Sequence, residues 1–218
     1  MFNWCTIISL TLISALSGMC LGYDTSVIAG ASLYYTDSIP MSDFENEMVV
    51  SAAVMGGAIG SLVSGYFADK FGRKPVILAG DVFMLAGAGM MAGCWNYSSL
   101  FAGRLLSGLG FGSELMSCGV YLAEMAPTKI RGSIIGANIA CLVFGQFLAI
   151  IICVIVAPNW RLMLGLGGVP ALIQAVLCLF ILPESPYYLM RRNKDEMAIK
   201  VVRNSFKDKH GEAANTEV

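Results

Sequence analysis

Six apolar stretches, each long enough to cross a bilayer as a helix, constrain this chain more than any other feature. A hydrocarbon core of about 30 Å takes roughly 20 helical residues. The stretches at about 6–30, 48–68, 76–94, 100–120, 133–156 and 161–182 meet that length. Composition agrees: 56% of the 218 residues are hydrophobic and 13% charged, against about 25% charged in a soluble domain. Mean hydropathy is +0.70. The first stretch begins without Lys or Arg and stays apolar through Ile28, so it is read as a membrane helix and not a cleaved leader. The expected fold class is an all-α membrane protein. Residues 1–190 form a six-helix transmembrane bundle, and 191–218 a cytoplasmic helix and polar tail.

The charges between these stretches fall unevenly. Lys70, Arg73 and Lys74 follow the second stretch, Lys129 and Arg131 the fourth, and Arg191, Arg192, Lys194 and Lys200 the sixth. The opposite connections contribute only Arg161, and Ser32 to Glu47 holds four acids with no base. Cytoplasmic connections of membrane proteins are enriched in Lys and Arg. The basic side is therefore expected to be cytoplasmic, with both termini there too.

Charges inside apolar helices are costly, and they usually meet a partner or a wet cavity. Asp24, in Gly22-Tyr23-Asp24-Thr25-Ser26, and Arg104, in Gly103-Arg104-Leu105-Leu106-Ser107-Gly108, fall at similar depths near the outer surface. They can therefore form a pair. A pair of this kind can carry a proton, because an acid that loses its guanidinium partner becomes easier to protonate. A purely structural ion pair, or two charges reaching the interface separately, satisfies the same pattern. Asp81 lies early in the third stretch, where a local interface charge competes with a carrier role, and Glu114 lies mid-way along the fourth with no assigned role. Gln146 and Asn138 in the fifth are candidate ligands for substrate hydroxyls, since an amide both donates and accepts. The competing reading for each is an interhelical hydrogen bond. Tyr23 and Gln174 are weaker candidates.

Other classes of function find little support. The seven cysteines form no CxxC or Cys/His cluster, so packing is expected of them and no metal or cofactor is implied. Runs such as Gly56-Gly57-Ala58-Ile59-Gly60-Ser61 lie inside membrane-length stretches and suit close helix contact; no GxxxxGK[ST] loop occurs. A net charge of −1 without a basic stripe argues against nucleic acid as a partner. No nucleophile–base set suggests an enzyme. Asn96-Tyr97-Ser98 is a formal glycan acceptor in a very short connection.

Several motifs occur in a specific order. Gly65-Tyr66-Phe67-Ala68-Asp69-Lys70-Phe71-Gly72-Arg73-Lys74 resembles the signature loop of the major facilitator superfamily. Gly22-Tyr23-Asp24-Thr25, Gly103-Arg104 through Gly110, Tyr121-Leu122-Ala123-Glu124 with Arg131-Gly132, Trp160-Arg161 and Pro183-Glu184-Ser185-Pro186 resemble its sugar porter family. Met163 to Leu166 and Val169 to Gln174 lean toward the proton-coupled myo-inositol transporters. The resemblance extends to about Arg203. Gly119 departs from it, standing where the family usually has Pro.

The resemblance implies a proton site at Asp24 paired with Arg104, sugar contact at Gln146, and a cytoplasmic gate of Asp69, Arg73, Glu124, Arg131 and Glu184. It implies a sugar or cyclic polyol as substrate, myo-inositol first, with a proton as the coupling ion and a lipid bilayer, plasma membrane first, as the setting. A facilitative hexose transporter is the alternative carrier. Family members have twelve helices in two halves, and this sequence resembles the amino-terminal half only. A second six-helix half is thus an expected partner, and no transport is expected unless the chain pairs with such a half or with another copy of itself. A non-transporting partner of a full-length carrier is the remaining alternative.

Overall fold

The computed structural model describes residues 4–126, 128–192 and 194–205. Pro127, Asn193, Phe206 and the expected polar tail from Lys207 to Val218 lie outside the described residues. Nine helices follow in order among those described: α1 (Trp4–Ser38), α2 (Asp43–Phe71), α3 (Arg73–Ala92), α4 (Tyr97–Met125), α5 (Thr128–Val156), α6 (Trp160–Leu166), α7 (Gly168–Ile181), α8 (Pro186–Arg191) and α9 (Asp195–Ser205). With α6 and α7 taken as one span, six are long and apolar enough to cross a membrane.

Two helix limits differ from the sequence expectation for local reasons. The acidic stretch from Ser32 to Glu47 is mostly helical, divided between the end of α1 and the start of α2. Ser42 caps α2 by accepting the Glu45 amide N–H, and the Glu45 carboxylate accepts the Ser42 N–H at 2.8 Å. This capping box, with Asp43 and Glu45 in the first turn favoured by the helix dipole, starts α2 earlier than its hydropathy does. The sixth stretch is interrupted at Gly167. Pro170 has no N–H to give the carbonyl one turn back, so the helical ladder is broken there.

Small residues set the packing. α2 and α4 run parallel in contact, Gly108 against Ala53 and Gly112 against Gly57. A Cβ on Gly112 would lie 2.7 Å from Gly57 Cα, so backbone meets backbone. α1 and α5 are likewise parallel, Gly18 facing Asn138 and Gly22 facing Leu142. α3 runs antiparallel to α4, with Met91 opposite Gly103, Gly87 opposite Ser107, Met84 opposite Gly110 and Gly80 opposite Glu114. These directions gather the end of α2, the start of α3 and the ends of α4 and α7 at one pole, together with Lys70, Arg73, Lys74, Arg131 and Arg191. At the opposite pole Arg161 stacks between Trp95, at 4.3 Å, and Trp160, at 4.8 Å, and donates to the Cys94 carbonyl.

The apolar surface points outward as well as inward. Val154, Ile155, Leu62 and Phe180 are each at least 74% exposed, and only 11% of the α5 span is buried within the bundle. A water-facing helix would hide such residues; these suit acyl chains or a further helical surface.

Candidate functional site

Asp24 and Arg104 meet between α1 and α4. Arg104 Nη1 donates to Asp24 Oδ1 at 2.9 Å and reaches the Asp24 carbonyl at 3.4 Å. Their side chains are 9% and 2% exposed. One turn away on the same helices, Ile28 and Leu100 belong to an apolar cluster with Val27, Tyr35 and Trp160. The pair is held by a single oxygen: Asp24 Oδ2 and Arg104 Nε have no hydrogen-bond partner among the described residues. Chemically, this is a charge-assisted bond that weakens when the acid accepts a proton. Arg104 has no proton to release near neutrality.

The amide candidates have different surroundings. Asn138 Nδ2 donates to the Ser14 carbonyl at 2.5 Å, a bridge from α5 to α1. Its amide donor is thus engaged within the bundle. Gln146 is half-buried and bonds to no described residue. Eight residues on from Asn138, it is turned by about 80°, at the edge of the α5 stripe that packs on α1. Tyr23 donates to the Met163 carbonyl at 2.7 Å, tying α1 to α6. Gln174 is fully buried and donates to Glu114 at 3.3 Å.

At the basic pole Arg73 is the hub. Buried to 3% exposure, it donates to Glu124 at 2.8 Å, to the Ala68 carbonyl at 2.9 Å and to Asp69 at 3.1 Å. Among the described residues Glu184 pairs with no side-chain cation. Its Oε1 accepts the backbone N–H groups of Arg73 at 2.9 Å and Lys74 at 3.3 Å, capping α3, where unpaired donors and the dipole favour an anion. Arg131 stands apart from the carboxylates and donates to the Ala123 and Ala126 carbonyls at the end of α4. Ser185, unremarked in the sequence except as part of Pro-Glu-Ser-Pro, is fully buried and donates to Glu124. Tyr121 adds a bond to the Pro183 carbonyl at 3.0 Å.

Gly72 is required at this pole twice over. Its φ is +105°, and a Cβ there would lie 2.5 Å from the Glu184 carboxylate. Gly72→Ala is expected to cost more than about 1 kcal/mol, because alanine is strained at that φ. The check is a denaturant titration in mixed micelles, with Gly119→Ala as the control, since nothing lies within 4 Å of a Cβ at Gly119.

Residues 10–217 match the family model described as "Sugar (and other) transporter". The chain belongs to the sugar porter family of the major facilitator superfamily. Among its sugar porter relatives, probable inositol transporter 2 of Arabidopsis thaliana is 40% identical over 92% of this chain and 35% of its own length. The proton myo-inositol cotransporter of Homo sapiens is 36% identical over 87% of this chain and 30% of its own. The solved proton:xylose symporter XylE, bound to 6-bromo-6-deoxy-D-glucose, superposes with a TM-score of 0.85 at 27% identity, covering 94% of this chain and 50% of that one. This sugar porter chain thus spans about a third of the length of the curated relatives and half that of the solved symporter.

Proposed function

We propose that this chain serves as one six-helix half of a carrier for a sugar or cyclic polyol, coupled to protons, with myo-inositol as the favoured substrate. The observation that carries the reading is the Asp24–Arg104 pair, a titratable acid and a permanent cation buried together in apolar helices. Its chemistry fits alternating protonation. Proton uptake by Asp24 loosens its hold on Arg104 and favours a state open to substrate, and deprotonation toward the other side restores the pair. Substrate hydroxyls meet Gln146, whose amide is not committed within the bundle, together with groups from a second half; Asn138 is the lesser ligand. The Arg73 cluster, with Asp69, Glu124 and Glu184, closes the pole we assign to the cytoplasm, and Arg131 steadies the end of α4 beside it. The inositol names of several relatives support the substrate and the coupling, and the asymmetry of Lys and Arg supports the orientation, in the plasma membrane.

The test joins this chain to the remaining carboxy-terminal part of the Arabidopsis relative and measures labelled myo-inositol uptake in vesicles with an imposed inward pH gradient. Accumulation is expected with the native chain. Asp24→Asn is expected to abolish accumulation while counterflow exchange of myo-inositol persists. Gradient-driven accumulation by that variant would falsify the proton role, and exchange of xylose or glucose without myo-inositol would reassign the substrate.

A further inference from the structure

A second buried acidic site lies on the α3–α4 interface. Asp81 is 0% and Glu114 1% exposed. Gly80 permits their approach: a Cβ there would stand 2.8 Å from Glu114 Cγ. The two carboxyl groups adjoin, and both Asp81 oxygens and Glu114 Oε1 find no hydrogen-bond partner among the described residues. Glu114 Oε2 accepts from Gln174 Nε2 of α7, whose side-chain Oε1 is met by Cys20 Sγ, and Ser17 of α1 lies beside it.

Among the described residues no cation balances this pair. None of the four ion pairs among the described residues includes either acid. The titratable groups facing the site are thiols: Cys20 from α1, Cys118 from α4 and Cys178 from α7. Lys74, at the start of α3, holds its Nζ on the Leu179 carbonyl at 2.8 Å. Arg104 is ten residues from Glu114 along α4, about 15 Å by helical rise, and is engaged with Asp24. A further polar group adjoins: Ser117, three residues after Glu114 and so on the same face, is fully buried with its hydroxyl unpaired among the described residues.

An ionised carboxylate only accepts hydrogen bonds. Contact between two of them is therefore a bond only when one carries a proton, and two like charges in contact away from water do not both ionise. We propose that Asp81 and Glu114 share a single bound proton and so constitute a second proton-holding site, separate from the Asp24–Arg104 pair. Gln174 donates to the one negative charge that remains. The site stands whether or not Asp24 carries a coupled proton.

Infrared spectroscopy on the full chain in lipid nanodiscs at pH 7 tests this directly. The expected spectrum contains a protonated-carboxyl C=O band, which is lost in Asp81→Asn/Glu114→Gln. Side-chain 13C-carboxyl labelling of aspartate or of glutamate in the unaltered chain is expected to shift that band in at least one case, a readout that needs no variant to fold. A spectrum without the band, a band unchanged in the double variant, or one that moves with neither label overturns the site. Loss of the band when sodium chloride replaces choline chloride also overturns it, because a metal cation would then be the ligand.

Discussion

Replacing Arg104 with alanine is expected to lower the stability of the bundle by about 3–5 kcal/mol, the usual cost of removing one partner from a buried ion pair. The cause is less the lost bond than the charge left behind. Asp24 is 7% exposed, and its only side-chain hydrogen bond among the described residues is the one from Arg104 Nη1, at 2.9 Å. Without the guanidinium its carboxylate has neither a cation nor ready access to water. Asp24→Asn/Arg104→Gln removes both charges while keeping two polar side chains of similar size that can still bond. It is expected to recover more than half of the loss, since a neutral buried pair costs far less than an orphaned charge. Unfolding in mixed micelles, followed by tryptophan fluorescence for the native chain, the two single variants and the double, yields the coupling between the residues. A coupling near zero would mean that the two groups are stabilised independently, and the shared site would have to be abandoned.

How much of this was legible beforehand depends on whether a feature is written along one helix or between two. Asp24 and Arg104 could be matched because each is a solitary charge in an apolar stretch, and counting turns from the same surface gave both a similar depth. The capping box at Ser42 is a local Ser-x-x-Glu pattern, but hydropathy does not register caps and so puts the helix start later. Partner choice at the basic pole was not readable. Three carboxylates and several bases cluster there, and one-dimensional spacing does not say that Glu184 caps backbone N–H groups while Arg73 takes Asp69 and Glu124. The pairing of Asp81 with Glu114 is hidden for the same reason. It depends on the antiparallel register of α3 on α4, fixed by Gly80, Gly87, Gly103 and Gly110, and each acid taken alone has nothing to mark a partner. Asn138 shows the converse: the residue type allowed a ligand or an interhelical bond, and only the position of the Ser14 carbonyl distinguishes which donor is engaged.

The second large effect expected is at Gly108. Its missing Cβ would lie 3.0 Å from both the carbonyl carbon and Cα of Ala53 and closer still to the Ala53 oxygen. The obstructing atoms are all backbone, so no side chain can rotate aside, and Gly108→Leu must push α2 off α4. Overpacking costs about 1–3 kcal/mol where side chains can yield; here the upper end or more is expected, because the Gly56–Leu109 and Gly57–Gly112 approaches open with it. The displacement also reaches function. Asp69 lies in the last turn of α2 and Glu124 near the end of α4, and both are held by Arg73, so separating the helices loosens the charged cluster more than four turns away. Gly89→Leu is the matched control: nothing lies within 4 Å of a Cβ at that position, and a leucine there faces open space on a helix that favours it over glycine by about 1 kcal/mol. Cysteine pairs placed at Gly65 and Met116, which meet between α2 and α4 on the way to the pole, in otherwise cysteine-free chains would report the separation through their crosslinking rate. That rate is expected to fall in the Gly108→Leu background and to hold in the Gly89→Leu one. Equal crosslinking in both would show that α2 and α4 can part locally without disturbing the pole, and the close small-residue contact would then have no bearing on the gate.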